Sequence, residues 1–149
     1  MDIKVLSAVL RTYVHATEDL EKVKKALINI LPVGVRGNVN IDIVKTKGHY
    51  GNEISILSIK LKGRSSDELL RNILCRLSES ERGILIASLS DRVDPRVSHL
   101  YIRLSKQDAY LGRIRLLDGS DVIKIVFSFT SLKSVDSLRN VLEEMIKSC

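Results

Sequence analysis

The sequence predicts an α+β fold: a mostly antiparallel sheet with helices packed on one face, in the order β-α-β-β-α-α-β-β-β-α within one domain spanning residues 1–149. Three observations predict it. Residues Leu100 to Phe129 hold three segments of strand-like alternation separated by two turn signals, and these are expected to form the middle of the sheet. The first segment of the chain repeats the same apolar-against-basic split. Between and after these strands the apolar period lengthens to that of amphipathic helices.

Taken in order, residues 3 to 14 alternate, with Leu6, Ala8, Leu10 and Val14 on one side and Val9, Arg11, Tyr13 and His15 on the other. At Thr17 the period changes. Thr17 suits an N-cap, Glu18 and Asp19 suit the positive end of a helix dipole, and Leu20, Val23, Leu27, Ile30 and Leu31 form a buried stripe that stops near Pro32. Gly34 and Gly37 make a loop before a second strand at 38 to 46, whose inward residues are Val39, Ile41 and Ile43. A polar loop, Lys45 to Asn52, leads to a third strand at 53 to 62 with Leu57, Ile59 and Leu61 on one face and Lys60 and Lys62 on the other.

Gly63-Arg64-Ser65 breaks that pattern. A helix from about 67 to 77 follows, with Leu69, Leu70, Ile73, Leu74 and Leu77 apolar and Arg71 and Arg76 in water, then a second from Glu79 to about Leu89 built on Ile84, Leu85 and Leu89. In the strand region Leu100, Ile102 and Leu104 alternate with Tyr101, Arg103 and Ser105. Ile114 and Leu116 alternate with Arg113 and Arg115, and after a turn at Asp118 to Asp121 the residues Ile123, Ile125, Phe127 and Phe129 share one register with Lys124 in the other. Ser134 to Lys147 closes as an amphipathic helix on Val135, Leu138, Val141, Leu142, Met145 and Ile146.

The 149 residues, 44% hydrophobic, suffice for one core, and with aromatics at 4% and no Trp that core is mostly Leu, Ile and Val. Net charge is +6, which favours a polyanionic partner. The excess sits in the strand regions: residues 1 to 64 carry 11 Lys and Arg against 6 Asp and Glu, whereas residues 65 to 97 carry 5 against 6. Cys75 and Cys149 have no metal-site spacing, so a reducing cytoplasm is expected, and the start of the chain reads as a strand instead of a signal peptide. No apolar run approaches the roughly 20 residues that span a bilayer.

No Gly-rich nucleotide loop occurs; the Gly48 to Gly51 pair is too short to be read as a phosphate cradle. His15, His49 and His99 lack metal spacing and a companion carboxylate cluster, which favours ordinary polar roles over zinc or acid–base chemistry. No cofactor, metal ligand or catalytic residue is therefore assigned. If the apolar registers share a side, Arg11, Tyr13, Lys60, Lys62, Tyr101, Arg103, Arg113, Arg115 and Lys124 form one basic face with tyrosines in it and almost no acids. That combination can neutralise phosphates while stacking bases. The interruption at Lys106 to Gly112 is read either as a contact loop at its rim or as an ordered turn whose Tyr110 plugs the core edge.

Three segments, HATED at His15 to Asp19, KGHYGNEI at Lys47 to Ile54 and LYIRLSKQDAYLGRIRL at Leu100 to Leu116, resemble the archaeal family described as a predicted RNA-binding subunit or associate of the exosome. The resemblance implies a fold similar to the 5S-rRNA-binding ribosomal protein and a role in RNA binding. Carried over by position it points to His15, Glu18, His49, Gly51, Asn52, Lys106, Tyr110, Gly112 and Arg115, and Lys47 of the same loop is counted with the expected RNA-binding residues. Tyr50 stands where a second His is usual, and Glu53-Ile54 follow Asn52 where Pro is common, which weakens a two-histidine catalytic loop. The expectation is a non-catalytic, cytoplasmic RNA-binding protein in RNA processing, RNA degradation or ribosome biogenesis. Its expected partners are RNA, the exosome or ribosomal subunits, and a second copy of the chain as a homodimer. The alternatives are a metal-independent RNA-cleaving enzyme using His15 and His49, and a protein adaptor.

Overall fold

A computed structural model describes residues 4–149, so Ile3, where the first strand is expected to begin, lies outside the described residues. The elements are β1 (Val5–Val14), α1 (Leu20–Ile30), β2 (Asp42–Lys47), β3 (Glu53–Lys62), α2 (Arg64–Arg76), α3 (Glu79–Ala87), β4 (His99–Ser105), α4 (Lys106–Tyr110), β5 (Val122–Phe129) and α5 (Val135–Lys147), with single 3-10 turns at Arg36–Asn38 and Leu89–Asp91. The α+β class and the helix-covered antiparallel sheet hold. Five strands run in the order β2-β3-β1-β5-β4, every neighbouring pair antiparallel.

Strict alternation puts Ala8, Leu10, Leu57, Ile59, Leu61, Leu100, Ile102, Leu104, Ile123, Ile125 and Phe127 on one face, all buried. The stripes of α2 and α5 meet that face: Leu69, Leu70, Ile73 and Leu74 from one, Leu138, Leu142 and Met145 from the other. Near the start of β1 a register shift between Val5 and Ser7 turns the phase, so Val5 is buried while Leu6, expected inside, is 45% exposed. Ile84 of α3 is likewise exposed, with Leu85 taking the core position.

The strand region departs from expectation in two ways. β1 occupies the centre of the sheet, while β4 is an edge strand. Arg113 to Leu116 does not become a strand: it is extended and meets β4 through one bridge, Leu104 to Leu116. Its alternation is real, since Ile114 is buried and Leu116 packs on the core, but the Leu116 N–H donates to Glu81 Oε2 at 2.7 Å, outside any ladder. In the stretch before it, Ser105 caps α4 by accepting from the Asp108 N–H, and Gly112 adopts φ 82 after it, so the interruption is a helical turn.

Arg76, expected in water, is instead tied to the backbone. Its guanidinium donates to the carbonyls of Asn29 (2.8 Å) and Gly112 (3.0 Å), joining the end of α1 to the loop after α4. Burial first, then the neighbouring Arg36, lowers its pKa. The cysteines differ too: Cys75 and Cys149 form a disulfide, joining the end of α2 to the end of α5 across 74 positions. That bond runs against the reduced thiols expected of a chain in a reducing cytoplasm, although intracellular disulfides do occur in heat-adapted archaea. Among the described residues no helix is long and apolar enough to cross a membrane.

Candidate nucleic-acid interface

The face of the sheet opposite the helices is the site. Direct cross-strand partners share a side of a pleated sheet, so the register can be read across it as rows. One row runs Arg103, Lys124, Arg11, Ser58, Asp42, from β4 through β5, β1 and β3 to β2. The next runs Tyr101, Val126, Val9, Lys60, and the one after it His99, Ser128, Ser7, Lys62. In the other direction Tyr13, Ile56 and Val44 make a half-apolar row.

Seven residues that the sequence assigns to a basic face, Arg11, Tyr13, Lys60, Lys62, Tyr101, Arg103 and Lys124, therefore do lie on one surface. Arg11, Tyr13, Arg103 and Lys124 go further: with His15, Gly119, Ser120 and Val122 they line a concavity of about 380 Å³. No carboxylate lines it. The turn at Gly119, whose φ of 123 favours glycine, forms its rim, and Arg103 Nη1 donates to the Gly119 carbonyl at 3.0 Å.

The β2–β3 hairpin makes a second groove. His15, Ala16 and Thr17 line it together with Gly48, His49, Tyr50, Asn52 and Ile54. His49 stands edge-on to Tyr50, which is 89% exposed, and Lys47 is exposed at the end of β2. His15 belongs to both concavities and links the sheet face to the hairpin. The histidine pair named in the sequence is thus brought to one groove, with the Glu18 carboxylate 4.0 Å from His15 Nε2.

Lys106 is a correction. Expected to face a ligand, it is 3% exposed, and its ammonium lies 3.0 Å from Glu18 Oε1 and 3.2 Å from Asp121 Oδ1 while donating to the Tyr13 carbonyl at 2.8 Å. A cation so enclosed is not offered to a phosphate. Desolvation acts to raise the Asp121 carboxyl, but hydrogen bonds from Gln107 and Lys106 and the charges of Lys106 and His15 outweigh it and lower its pKa. Glu18 also accepts from the His15 backbone N–H at 3.0 Å, so the cluster fixes the turn on which His15 stands.

Tyr110 also lies away from the sheet face. It packs against the core beside α1, with Lys25 and Lys22 ammonium groups 5.3 and 5.9 Å from its ring centroid. Arg113 and Arg115 are exposed, on the segment outside β4 instead of on a strand. The Ser105 N–H donates to the Arg115 carbonyl at 2.8 Å, which sets Arg115 beside Ser105 at the sheet edge. Three residues that line the concavity went unnamed as contributors in the sequence, Gly119, Ser120 and Val122; the Asp118-Gly119-Ser120-Asp121 turn was visible, but its position over the Arg103 row was not.

An open antiparallel sheet, covered by helices on one side and carrying on the other three neighbouring cations with no acid between them, defines a small α+β domain built to meet a polyanion. The chain belongs to the RNA-binding family, whose model, described as RNA binding, matches residues 7–129. It is 36% identical over 118 residues to the RNA-binding protein PAB1135 of Pyrococcus abyssi, covering 78% of this chain and 76% of that one. It is 35% identical over 123 residues to the protein MJ0213 of Methanocaldococcus jannaschii, covering 80% and 81%. Among solved structures it resembles AF2318 from Archaeglobus fulgidus, a DUF54 protein, with TM-score 0.78 and 30% identity over 95% of this chain and 99% of that one.

Proposed function

We propose that this protein binds RNA on the open sheet face and in the adjoining hairpin groove, without cleaving it, as a cytoplasmic factor in RNA processing, degradation or ribosome biogenesis. The observation that carries the reading is the Arg103, Lys124, Arg11 row: three cations on adjacent strands with no acid between them. Like charges directly opposite each other destabilise a sheet, and a row of them is retained at a cost unless an anion offsets it. Tyr101 and Tyr13 flank the row on either side, both partly exposed, so bases can stack where phosphates are neutralised.

Affinity for single-stranded RNA should fall with salt, at a log–log slope of roughly −0.7 for each phosphate contacted. A slope near zero, measured by fluorescence anisotropy between low and moderate salt, would remove the sheet face from RNA binding. Association with exosome or ribosomal subunits, or as a homodimer, is tested by capture of the tagged protein with and without ribonuclease.

One observation favours a second reading, RNA cleavage: His15 and His49 line the same groove, beside Glu18. Two imidazoles could relay a proton from a 2′-hydroxyl and to a leaving oxygen. Product that forms with the wild type and is lost with His49→Ala would establish it; RNA bound and recovered intact would leave binding alone.

A further inference from the structure

Resting on RNA binding at this face, we propose that the concavity beneath the Gly119–Ser120 turn is a subsite for a terminal phosphate monoester, the phosphorylated end of an unpaired RNA strand. Three features of the surface converge on that chemistry.

The first is charge density. Arg103 faces Lys124 and Lys124 faces Arg11 as direct partners, so their Cβ atoms lie within about 4.5–5.5 Å of one another in sequence across three strands. The acid in the row, Asp42, sits two strands beyond Arg11, on β2. Glu18 and Asp121, close by in the chain, are both turned to Lys106 and neither lines the concavity. An internal phosphodiester brings one negative charge, whereas a monoester brings about −1.5 to −2 and three acceptor oxygens, the better match to three cations.

The second is shape. About 380 Å³ is at the small end of ligand sites, room for one nucleotide and too narrow for a duplex. Arg103, held by its bond to the Gly119 carbonyl, and the turn itself wall one side. The third is continuity. Through His15 the concavity joins the hairpin groove, where His49 and Tyr50 offer rings to the nucleotides that follow. A strand that runs along that groove and stops at the cation row sets its terminal phosphate among Arg11, Arg103 and Lys124, with Tyr13 and His15 beside the last base.

The test uses the full chain and one eight-nucleotide unstructured RNA in three forms: a phosphate at the 5′ end, a phosphate at the 3′ end, and hydroxyls at both. Binding is read by fluorescence anisotropy at fixed ionic strength with an internal label. One phosphorylated form should bind at least tenfold tighter than the other two, and this preference should shrink below threefold in Lys124→Ala and in Arg11→Ala while persisting in the Arg113→Ala, Arg115→Ala double variant. Circular dichroism melting checks that each variant is folded. If all three RNAs bind within threefold of one another, the subsite is refuted and RNA binding stands. The subsite is likewise refuted if both ends gain equally or the preference survives Lys124→Ala, since either result is bulk attraction. If none of the three binds, the reading on which the subsite rests fails first.

Discussion

Two groups of cations stand on either side of the last residues of β1, and they have opposite fates. Arg11, Lys124 and Arg103 face outward in a row with no acid among them, whereas Lys106 is buried between Glu18 and Asp121 and capped by the Tyr13 carbonyl. The residue types are alike. What separates them is the supply of carboxylates: where burial would leave an ammonium uncompensated the fold provides two, and where the surface stays open it provides none. A cation with its acids is structural, and a row of cations without them is left for a ligand.

The strongest way to break this comparison is to remove Lys106. In Lys106→Met the Tyr13 carbonyl loses its donor and two carboxylates face each other without a cation. Removing one partner of a fully buried pair costs roughly 3–5 kcal/mol, and because Glu18 and Asp121 are partly exposed we expect about 2–3 kcal/mol, read by urea denaturation. Arg11→Ala with Lys124→Ala should do the reverse to stability, leaving it unchanged or raised by a few tenths of a kcal/mol as like-charge repulsion is relieved. The comparison collapses if the two variants lose stability equally.

That same double variant is expected to lose RNA affinity and to flatten the salt slope by about 1.4, two phosphates' worth on single strands. Arg113→Ala with Arg115→Ala, on the segment outside β4, should flatten it less, by about one unit or under. Tyr101→Ala sharpens the division differently. It should leave the slope nearly unchanged while costing about 1–3 kcal/mol for single-stranded RNA, and much less for a perfect duplex whose bases are already stacked. A Tyr101 effect equal on both RNAs would remove stacking from the account.

The open face was legible in the sequence because period-two alternation is a local signal: each of Arg11, Tyr101, Arg103 and Lys124 is flanked by residues that go inside. Lys106 was not, since its partners are 88 and 15 positions away and nothing in its own neighbourhood announces them. One local signal did bear on it: Ser105-Lys106-Gln107-Asp108 is a helix start, with Ser105 as cap and Asp108 in the first turn, and it places Lys106 at the first helical position directly after an inward-packed strand. Arg113 to Leu116 failed for a different reason. Its alternation was right, but alternation records burial and not pairing, and Glu81 from α3 takes the Leu116 N–H. The Cys75 to Cys149 bond depends on how α5 lies against α2, which no spacing along the chain encodes.

The smallest effect separates the two cation groups by pH. The row itself consists of Arg and Lys and brings no carboxyl whose loss in acid could act on folding. The buried cluster does contribute one. Asp121 titrates below its ordinary value once folded, and so does Asp94, where desolvation pushes upward but the Ser98 and His99 backbone N–H groups, with both side chains, outweigh it. A carboxyl whose folded pKa is depressed stabilises above its unfolded value of about 3.9, and that contribution is lost as pH falls through the folded pKa. Melting temperature should therefore be flat from pH 7 to about 5 and fall below about 4. Asp121→Asn and Asp94→Asn should each melt lower than wild type near neutrality and converge on it in acid, whereas Lys124→Ala should track the wild-type curve throughout. If Asp121→Asn ran parallel to wild type down to pH 2, the carboxylate would not be holding Lys106, and the cluster would owe its place to packing alone.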